Sequence, residues 1–204
     1  MTPFEKTWLG LLESELNKSG YIIYSFQKKG LTTDRIAKEL KDHLNFINPD
    51  LLILQVGIVD CSPRALKESE VNFINKIPII RSIIKKIVKK YYEKISSFRN
   101  LCYVDIKQFE KNLEQLNSTF NDVDKIIVPI GLPPEGYKKK SPLIEGRIES
   151  YNKIFKKIFS SYYLEVFTQK TNDFLEIIYT EDYYHLNDFG HNLLYECLIA
   201  KLPK

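Results

Sequence analysis

Short apolar runs alternate along the chain with longer segments in which apolar residues recur every three or four positions. The runs, at residues 21–26, 51–57, 101–104, 126–130 and 163–167, are typical of strands, and the segments between them are typical of amphipathic helices. Residues 51–57, LLILQVG, form a nearly continuous apolar run, as a strand buried on both faces of a parallel sheet requires. This alternation predicts an α/β fold in three layers (α/β/α), with helices on both faces of a parallel sheet.

Helix signals occupy the segments between these runs. Thr2 followed by Pro3 is typical of a helix start, and Thr32 or Thr33 can cap a second helix. The second helix is expected to bury three apolar residues at helical spacing, Ile36, Leu40 and Leu44. His43 lies among charged residues of the same segment, where a structural polar role is expected. Later helices are predicted from Ser62 onward with an interruption near Pro78, around 109–116, over 143–162 and over 187–202.

A cluster of lysines follows Pro78. Its members are Lys85, Lys86, Lys89, Lys90 and Lys94. The cluster predicts a solvated helix face, with four apolar neighbours turned inward, namely Ile83, Ile84, Ile87 and Val88. A nucleic-acid site would need aromatic residues or a recognition motif among the lysines, so no nucleic-acid partner is predicted.

Composition narrows the class of protein but does not indicate which reaction it catalyses or what it binds. The 204 residues are 44% hydrophobic and 27% charged, which is ordinary for one globular domain spanning 1–204 and excludes wholesale disorder. The net charge of +4 argues neither for nor against a polyanionic partner. The three cysteines suit neither a disulfide framework nor a metal site, and no cofactor is predicted. The start of the chain lacks the pattern of a secretory signal and no apolar run is long enough to span a bilayer, so a cytoplasmic, non-membrane location is expected.

Two segments follow predicted strands at the edge where α/β sheets bind ligands. In the first, GIVDCSPR, Gly57 permits a sharp turn, and Asp60 and Arg64 can project from the sheet edge and pair with each other. The alternative is a plain strand-to-helix turn in which Asp60 caps the next helix. The local pattern leaves both interpretations open.

The second segment, EDYYHLNDFGH, precedes the predicted last helix. The three-residue step from Asp182 to His185 can place a carboxylate beside an imidazole within one turn. Such a carboxylate fixes the histidine tautomer and leaves the other ring nitrogen to act as a general base. The alternative is that His185 is a structural polar residue. Tyr183 and Tyr184 could stack on a sugar or simply pack.

Together, LLILQVGIVDCSPR and the later DYYHLNDFGHNLL resemble the SGNH (GDSL-type) hydrolase family, and in particular members associated with bacterial surface-polysaccharide loci. The resemblance covers roughly residues 7–200 and implies a flavodoxin-like three-layer α/β/α fold with a Ser-His-Asp triad. Asp182 and His185 match the family's D-x-x-H motif. Gly57 matches the glycine of its third block, and Gly30, in KKGLTT, matches the second-block glycine whose backbone N–H helps to bind the oxyanion.

The chain departs from the family pattern at two places. The third block usually reads G-x-N-D, where the asparagine donates to the oxyanion. Here Val59 takes that position and cannot donate, which leaves Arg64 as the nearest candidate substitute. The family's nucleophilic serine lies in a G-D-S motif after a first strand, and no such motif precedes Trp8, which resembles the start of the first helix. The block that carries the nucleophile is therefore expected upstream of Met1.

Three explanations of the missing serine are open. The sequence can be truncated by about 15 to 25 residues, a length that covers one strand and its loop. The protein can be a degenerate member without catalytic activity. In the third explanation another residue, Cys61 or Ser62, serves as nucleophile, although neither lies in a known nucleophile turn. Truncation is favoured because the loss of a central strand would leave a gap between neighbours that bury both faces.

The sequence thus predicts a serine esterase or deacetylase, or an acyltransferase, acting on acyl groups of a carbohydrate. Its expected partner is a small-molecule or glycan ester, and the sequence gives no indication of oligomeric state. His185 is the predicted general base and Asp182 orients it, while Gly30, Gly57, Asp60 and Arg64 are predicted at the oxyanion and substrate site. The alternative is a non-catalytic domain of the same fold that binds a glycan or a partner protein.

Overall fold

The computed structural model describes residues 2–167 and 171–202. Within these ranges the side chains of residues 40–46, 79, 80 and 172 are outside the described part. The predictions for Leu40, His43 and Leu44 therefore lie outside the described residues. Ile36, the other member of that predicted stripe, is buried.

Two parallel strands lie at the centre of the fold. They are β1 (Leu51–Gln55) and β2 (Asp124–Val128), paired in register with Leu51 opposite Asp124 and Gln55 opposite Val128. The last three residues of β2 are buried, as a near-continuous apolar run predicts. The parallel sheet predicted from the runs at 51–57 and 126–130 is confirmed, and the fold is α/β.

The other three predicted strands are not strands among the described residues. Residues 21–26 pair with no strand and are largely exposed. Residues 101–104 make one antiparallel bridge, from Leu101 to Arg64, and residues 163–167 make one parallel bridge, from Tyr163 to Ile127. An apolar run favours an extended backbone, but a strand also needs a neighbour to complete its hydrogen-bond ladder.

Helices make up most of the remaining described chain. Their bounds are α1 (Trp8–Lys18), α2 (Thr33–Ile47), α3 (Ile58–Cys61), α4 (Glu68–Asn75), α5 (Pro78–Arg99), α6 (Ile106–Thr119), α7 (Glu135–Lys140), α8 (Ile144–Ile158), α9 (Asn172–Ile178) and α10 (Asp188–Lys201). The helix start predicted at Thr2 and Pro3 is wrong: a short 3-10 turn, Phe4–Lys6, comes first. The cap of α1 is Thr7, whose side chain accepts a hydrogen bond from the Gly10 N–H.

The helices pack in two groups. Helix α1 packs on α10, and α10 packs on α9. In the second group α2 packs on α6, and both α6 and α3 pack on α8. The rings of Phe109 on α6 and Phe155 on α8 meet edge to face, with centroids 5.2 Å apart. Such aromatic pairs add to the core that supports the sheet.

Helices α4 and α5 pack on each other. On α5 the prediction of four apolar residues turned inward is wrong for two of them. Ile84 and Val88 are half-buried, whereas Ile83 and Ile87 are exposed on the neighbouring face of the helix. A run of adjacent apolar pairs covers more of the helix circumference than one neighbouring helix can bury. Within the described residues, no helix combines the length and the apolar character needed to cross a bilayer.

Candidate active site

The loop between α9 and α10 is organised by one carboxylate. Asp182 Oδ1 accepts hydrogen bonds from the backbone N–H groups of Tyr184, at 2.8 Å, and His185, at 3.0 Å. The Thr180 hydroxyl also donates to it, at 2.8 Å. Asp182 Oδ2 lies 2.6 Å from Nδ1 of His185. The hydrogen bond predicted from the D-x-x-H spacing is therefore present, and the same residue shapes the turn that carries the histidine.

The electrostatics of this pair favour an ionised Asp182 that orients the imidazole. Partial burial opposes ionisation of Asp182, but hydrogen bonds from His185, Thr180 and Tyr184 outweigh it, so its pKa lies far below the ordinary range. An ionised carboxylate at Nδ1 holds the proton on that nitrogen and leaves Nε2 as an acceptor. The imidazole is largely exposed. Within the described residues Nε2 has no hydrogen-bond partner, so it is open to a substrate.

The residues that follow His185 fix the loop to the core. Asn187 caps α10 by accepting from the Gly190 N–H at 3.0 Å, and its amide donates to the carbonyls of Ile177 and Tyr179. A side chain at Gly190 would meet the Ile178 carbonyl oxygen at 2.3 Å, so this position needs glycine. The HLNDFGH continuation therefore serves the geometry of the loop.

His191, one turn into α10, has a structural role. Its Nδ1 accepts a hydrogen bond from the Trp8 N–H at 3.3 Å, at the start of α1. Burial lowers the pKa of His191, which keeps it neutral and able to accept. The Trp8 indole donates to the Gln55 side chain at 3.0 Å. The first turn of α1 is thus held at the carboxyl end of β1.

A cavity of about 80 Å³ lies between the D-x-x-H loop and the carboxyl ends of the two strands. Gln55 at the end of β1 and Gly131 after β2 line it together with aromatic rings, among them Phe167, Tyr137, Tyr179 and Tyr184. The Tyr184 hydroxyl lies 3.0 Å from the Ser62 hydroxyl, and the Tyr179 hydroxyl donates to the Leu132 carbonyl at 2.9 Å. Because these hydroxyls have protein partners, the rings present mainly aromatic surface to the cavity.

The loop after β2 forms one wall of this cavity, and sequence reasoning missed its two glycines. A side chain at Gly131 would meet the Tyr179 hydroxyl at 2.3 Å, and one at Gly136 would meet the Tyr183 ring at 2.4 Å. Both glycines therefore allow tyrosines to approach the backbone closely. The signal was the position of GLPPEG directly after the apolar run at 126–130, the same rule that singled out Gly57.

The Gly57 turn has the sharp geometry that its position predicts. Gly57 has φ 109° and stands at the start of α3. A side chain there would meet Ile130 Cδ1 at 2.7 Å, so both the backbone angle and the packing require glycine. Gly30 also has a positive φ, 71°, in an exposed turn just before α2.

Asp60 connects these two turns. It is fully buried, and its Oδ1 accepts hydrogen bonds from the Thr33 N–H at 2.8 Å and the Thr33 hydroxyl at 2.6 Å. Thr33 is the first residue of α2, whose leading N–H groups have no partner inside the helix. Both predictions for Asp60, a pair with Arg64 and a cap on the following helix, are wrong, because the carboxylate instead caps α2 across the fold. Burial raises its pKa, although the bonds from Thr33 oppose the shift.

Arg64 is directed away from the cavity. Its guanidinium donates to the Val59 carbonyl at 3.2 Å and stacks over the Tyr103 ring at 4.2 Å. Neither of those residues lines the cavity. The role of Arg64 as a substitute oxyanion donor stays a prediction.

Cys61 and Ser62 do not have the environment of a nucleophile. Cys61 is fully buried, and that burial raises the pKa of its thiol, which keeps it in the unreactive protonated form. Ser62 is nearly inaccessible, and its hydroxyl donates to the Ile58 carbonyl at 2.5 Å. Within the described part of the chain, no three His, Cys, Asp or Glu side chains stand together as a metal site.

Several solved structures have a similar fold at low sequence identity. An acetyl xylan esterase, AlAXEase, aligns with TM-score 0.62 and 16% identity over 98% of this chain and 92% of its own. The lipase/acylhydrolase from Enterococcus faecalis aligns with TM-score 0.61 and 14% identity over 95% of this chain and 83% of its own. LAE5, an alpha/beta hydrolase enzyme from the metagenome of Lake Arreo, Spain, aligns with TM-score 0.60 and 15% identity over 96% of this chain and 80% of its own.

No protein-family model matches the sequence, and no curated protein matches it. Identities of this size establish a shared fold and leave the chemistry to be argued from the site. The overall arrangement of this chain is that of the esterases and acylhydrolases named above.

Proposed function

We propose that the protein is an SGNH-type serine esterase or deacetylase, or an acyltransferase, acting on acyl groups of a carbohydrate in bacterial polysaccharide metabolism. The observation that carries the proposal is the Asp182–His185 hydrogen bond of 2.6 Å, on a loop whose Tyr183 and Tyr184 line a cavity at the carboxyl end of a parallel sheet. The similar folds of an acetyl xylan esterase and a lipase/acylhydrolase support acyl-ester chemistry. The two helix groups fit the three-layer, flavodoxin-like arrangement expected of this family.

In the proposed reaction His185 Nε2 takes the proton of a serine hydroxyl as its oxygen attacks the ester carbonyl. Asp182 holds the imidazolium that forms. The negative charge on the carbonyl oxygen is met by backbone N–H groups at the Gly30 and Gly57 turns, whose positive φ angles suit such a cradle. His185 then returns the proton to the leaving alcohol, and water or an acceptor sugar releases the acyl group.

The serine itself is proposed to come from a strand that pairs with the free edge of β1. Within the described residues β1 pairs with β2 alone, although its run of apolar residues suits a strand with neighbours on both sides. A parallel strand in this position would end beside Gln55, close to the cavity.

The size of the cavity favours a short acyl group. A volume of about 80 Å³ suits a group of acetyl size and is far below the 300–1,000 Å³ of pockets that enclose larger ligands. Aromatic surface at Tyr183 and Tyr184 can stack on the apolar face of a sugar ring. We therefore favour acetyl esters of a glycan as substrates.

The test compares hydrolysis of p-nitrophenyl acetate by the 204-residue chain and by a version extended upstream with the codons that precede Met1. The chain alone is expected to turn over very slowly, because no activated serine stands at the base. The extended version is expected to be active and to lose at least about a thousandfold in kcat with His185→Ala. Turnover by the 204-residue chain that is abolished by Ser62→Ala or Cys61→Ala would move the nucleophile to that residue.

The second candidate function is a non-catalytic domain that binds a glycan or a partner protein. The observation in its favour is Val59, which stands where the family has an oxyanion-donating asparagine. No turnover by an extended version that does carry a serine in a G-D-S turn would support this alternative. Binding of acetylated oligosaccharides, measured by calorimetry and unaffected by His185→Ala, would be its positive test.

A further inference from the structure

Helices α4 and α5 form a hairpin, residues 68–99, that packs mainly on itself. Its base is held to the rest of the fold by polar contacts. Arg99 donates to the Ala65 carbonyl at 2.9 Å, and the Tyr92 hydroxyl donates to the Pro63 carbonyl at 2.6 Å. Arg99 also joins α5 to α4 by donating to both carboxylate oxygens of Glu70 at 2.7 Å. The outer face of the hairpin has no helix packed on it within the described residues.

That outer face carries a stripe of large apolar side chains. Ile83 is 55% exposed, Ile87 48% and Tyr91 43%, and these positions follow one another at a spacing of four, along one side of α5. Phe98, near the end of α5, is 92% exposed, and Phe73 on α4 is 65% exposed. Single exposed apolar residues need no explanation. An aligned series of them on one helix indicates a surface that binds an apolar partner.

The same helix concentrates the positive charge of the molecule. Residues 78–99 contain seven basic side chains and one acidic one, a net charge of +6, whereas the whole chain carries +4. The rest of the molecule is therefore net negative. Six of the basic side chains are exposed and make no ion pair with any described residue: Arg81, Lys85, Lys86, Lys89, Lys90 and Lys94. This concentration gives the hairpin a strong preference for an anionic partner.

We propose that the α4–α5 hairpin docks the protein on an anionic lipid bilayer. Helices that lie in the membrane interface have this construction, with an apolar stripe inserted at the level of the acyl chains and lysines reaching the phosphate headgroups. Nucleic acid would use the lysines but would leave Ile83 and Ile87 in water. A second copy of the chain could cover the isoleucines but would bring two faces of net charge +6 together.

The backbone of α5 suits this placement. Tyr91 departs from helical geometry, with φ −117° and ψ 23°, so the lysine-rich first part of the helix can take a direction of its own. The hairpin is also joined closely to the candidate site, because Pro63, which Tyr92 contacts, follows Ser62, whose hydroxyl contacts Tyr184 beside His185. Docking through the hairpin would hold the cavity near the membrane surface, whatever reaction occurs there.

The experiment is sedimentation of the 204-residue protein with vesicles of phosphatidylcholine and phosphatidylglycerol, compared with vesicles of phosphatidylcholine alone. The protein is expected to sediment with the anionic vesicles and to be released by high salt. The double variant Ile83→Ser/Ile87→Ser and the quadruple variant Lys85→Gln/Lys86→Gln/Lys89→Gln/Lys90→Gln are each expected to weaken partitioning by about tenfold or more. The matched control Ile177→Ser/Phe189→Ser removes equally exposed apolar groups elsewhere and is expected to bind like the wild type.

Three results would overturn the proposal. The first is wild-type protein that stays in the supernatant with anionic vesicles. The second is loss of vesicle binding in the lysine variant while the isoleucine variant binds vesicles fully, together with a mobility shift of single-stranded RNA by the wild type. That combination would identify a nucleic-acid surface. The third is concentration-dependent dimerisation that the isoleucine variant abolishes while vesicle binding is absent. Circular dichroism of each variant separates these results from a failure to fold.

Discussion

At the scale of single residues, the candidate site depends on groups that each serve two purposes. Asp182 both shapes its loop and holds the His185 ring, through bonds from Tyr184, Thr180 and the imidazole. Asp60 has a comparable place on the other side of the site, where one buried oxygen fixes the start of α2. Buried carboxylates are costly unless they are hydrogen-bonded, and the two bonds from Thr33 offset part of that cost at Asp60.

Replacing Asp60 with Asn or with Ala separates the contribution of its hydrogen bonds to stability from that of its charge. Asn keeps an oxygen for the two Thr33 donors, so Asp60→Asn is expected to fold normally, whereas Asp60→Ala leaves them unpaired and is expected to lower the free energy of unfolding by roughly 1–3 kcal/mol. Burial raises the folded-state pKa of Asp60, so wild-type stability falls as pH rises from the unfolded-state value of about 3.9 to the higher folded one. Between those two pH values the free energy of unfolding of the wild type, measured with urea, should fall relative to that of the Asn variant. An Asn variant as unstable as Ala at neutral pH would contradict this account.

Replacement of Gly57 tests the turn beneath the cavity. Gly57→Ala puts a side chain 2.7 Å from Ile130 Cδ1 at a backbone φ of 109°, and a cost of about 1–3 kcal/mol in the free energy of unfolding is expected. The matched control is Gly146→Ala, inside α8, where nothing lies within 4 Å and helix propensity favours alanine. The measurement is urea unfolding of both variants. Equal stability of the two would show that the Gly57 turn is not strained by a side chain.

At the scale of elements, the sequence predicts best what is decided locally. The D-x-x-H pair was predictable because three residues of spacing suffice to bring carboxylate and imidazole together. The runs at 51–57 and 126–130 were recognised as strands because they are apolar on both faces. The run at 21–26 has the same character, but pairing depends on a neighbour far away in sequence, which composition cannot reveal. The prediction that Ile83 and Ile87 turn inward was wrong for a related reason, because periodicity does not say which face a helix buries.

The ion pair that joins α4 to α5 makes the stability of the hairpin depend on pH. Hydrogen bonds from Arg99 lower the pKa of Glu70 to about 2. Because the folded-state pKa is depressed, the contribution of Glu70 to stability is complete above the unfolded-state value of about 4.3 and is lost as pH falls from there toward 2. Glu70→Gln should therefore be less stable than the wild type at neutral pH and approach it in acid, as measured by thermal unfolding. The control Glu68→Gln removes only an exposed pair with Arg35 and is expected to change little.

At the scale of the whole molecule, three surfaces meet at the carboxyl end of the sheet. The D-x-x-H loop brings the Asp182–His185 pair, and the loops after β1 and β2 line the cavity. Trp8, at the start of α1, bonds to Gln55 at the end of β1 and to His191 on α10. The tyrosines of the cavity come from α7 and from the segment after α9, far apart in sequence, so no local pattern could have assembled them. The cavity is thus a property of the fold, while the Asp182–His185 pair is a property of one short motif.

The measurement that tests the central claim most directly is covalent labelling with a fluorophosphonate, read by mass spectrometry. The reagent adds to a serine only where a base has activated its hydroxyl. We expect one adduct, on a serine of the upstream segment in the extended protein, and none on the 204-residue chain or on the extended protein with His185→Ala. An adduct on Ser62 or Cys61, or an adduct that forms equally well without His185, would contradict the account.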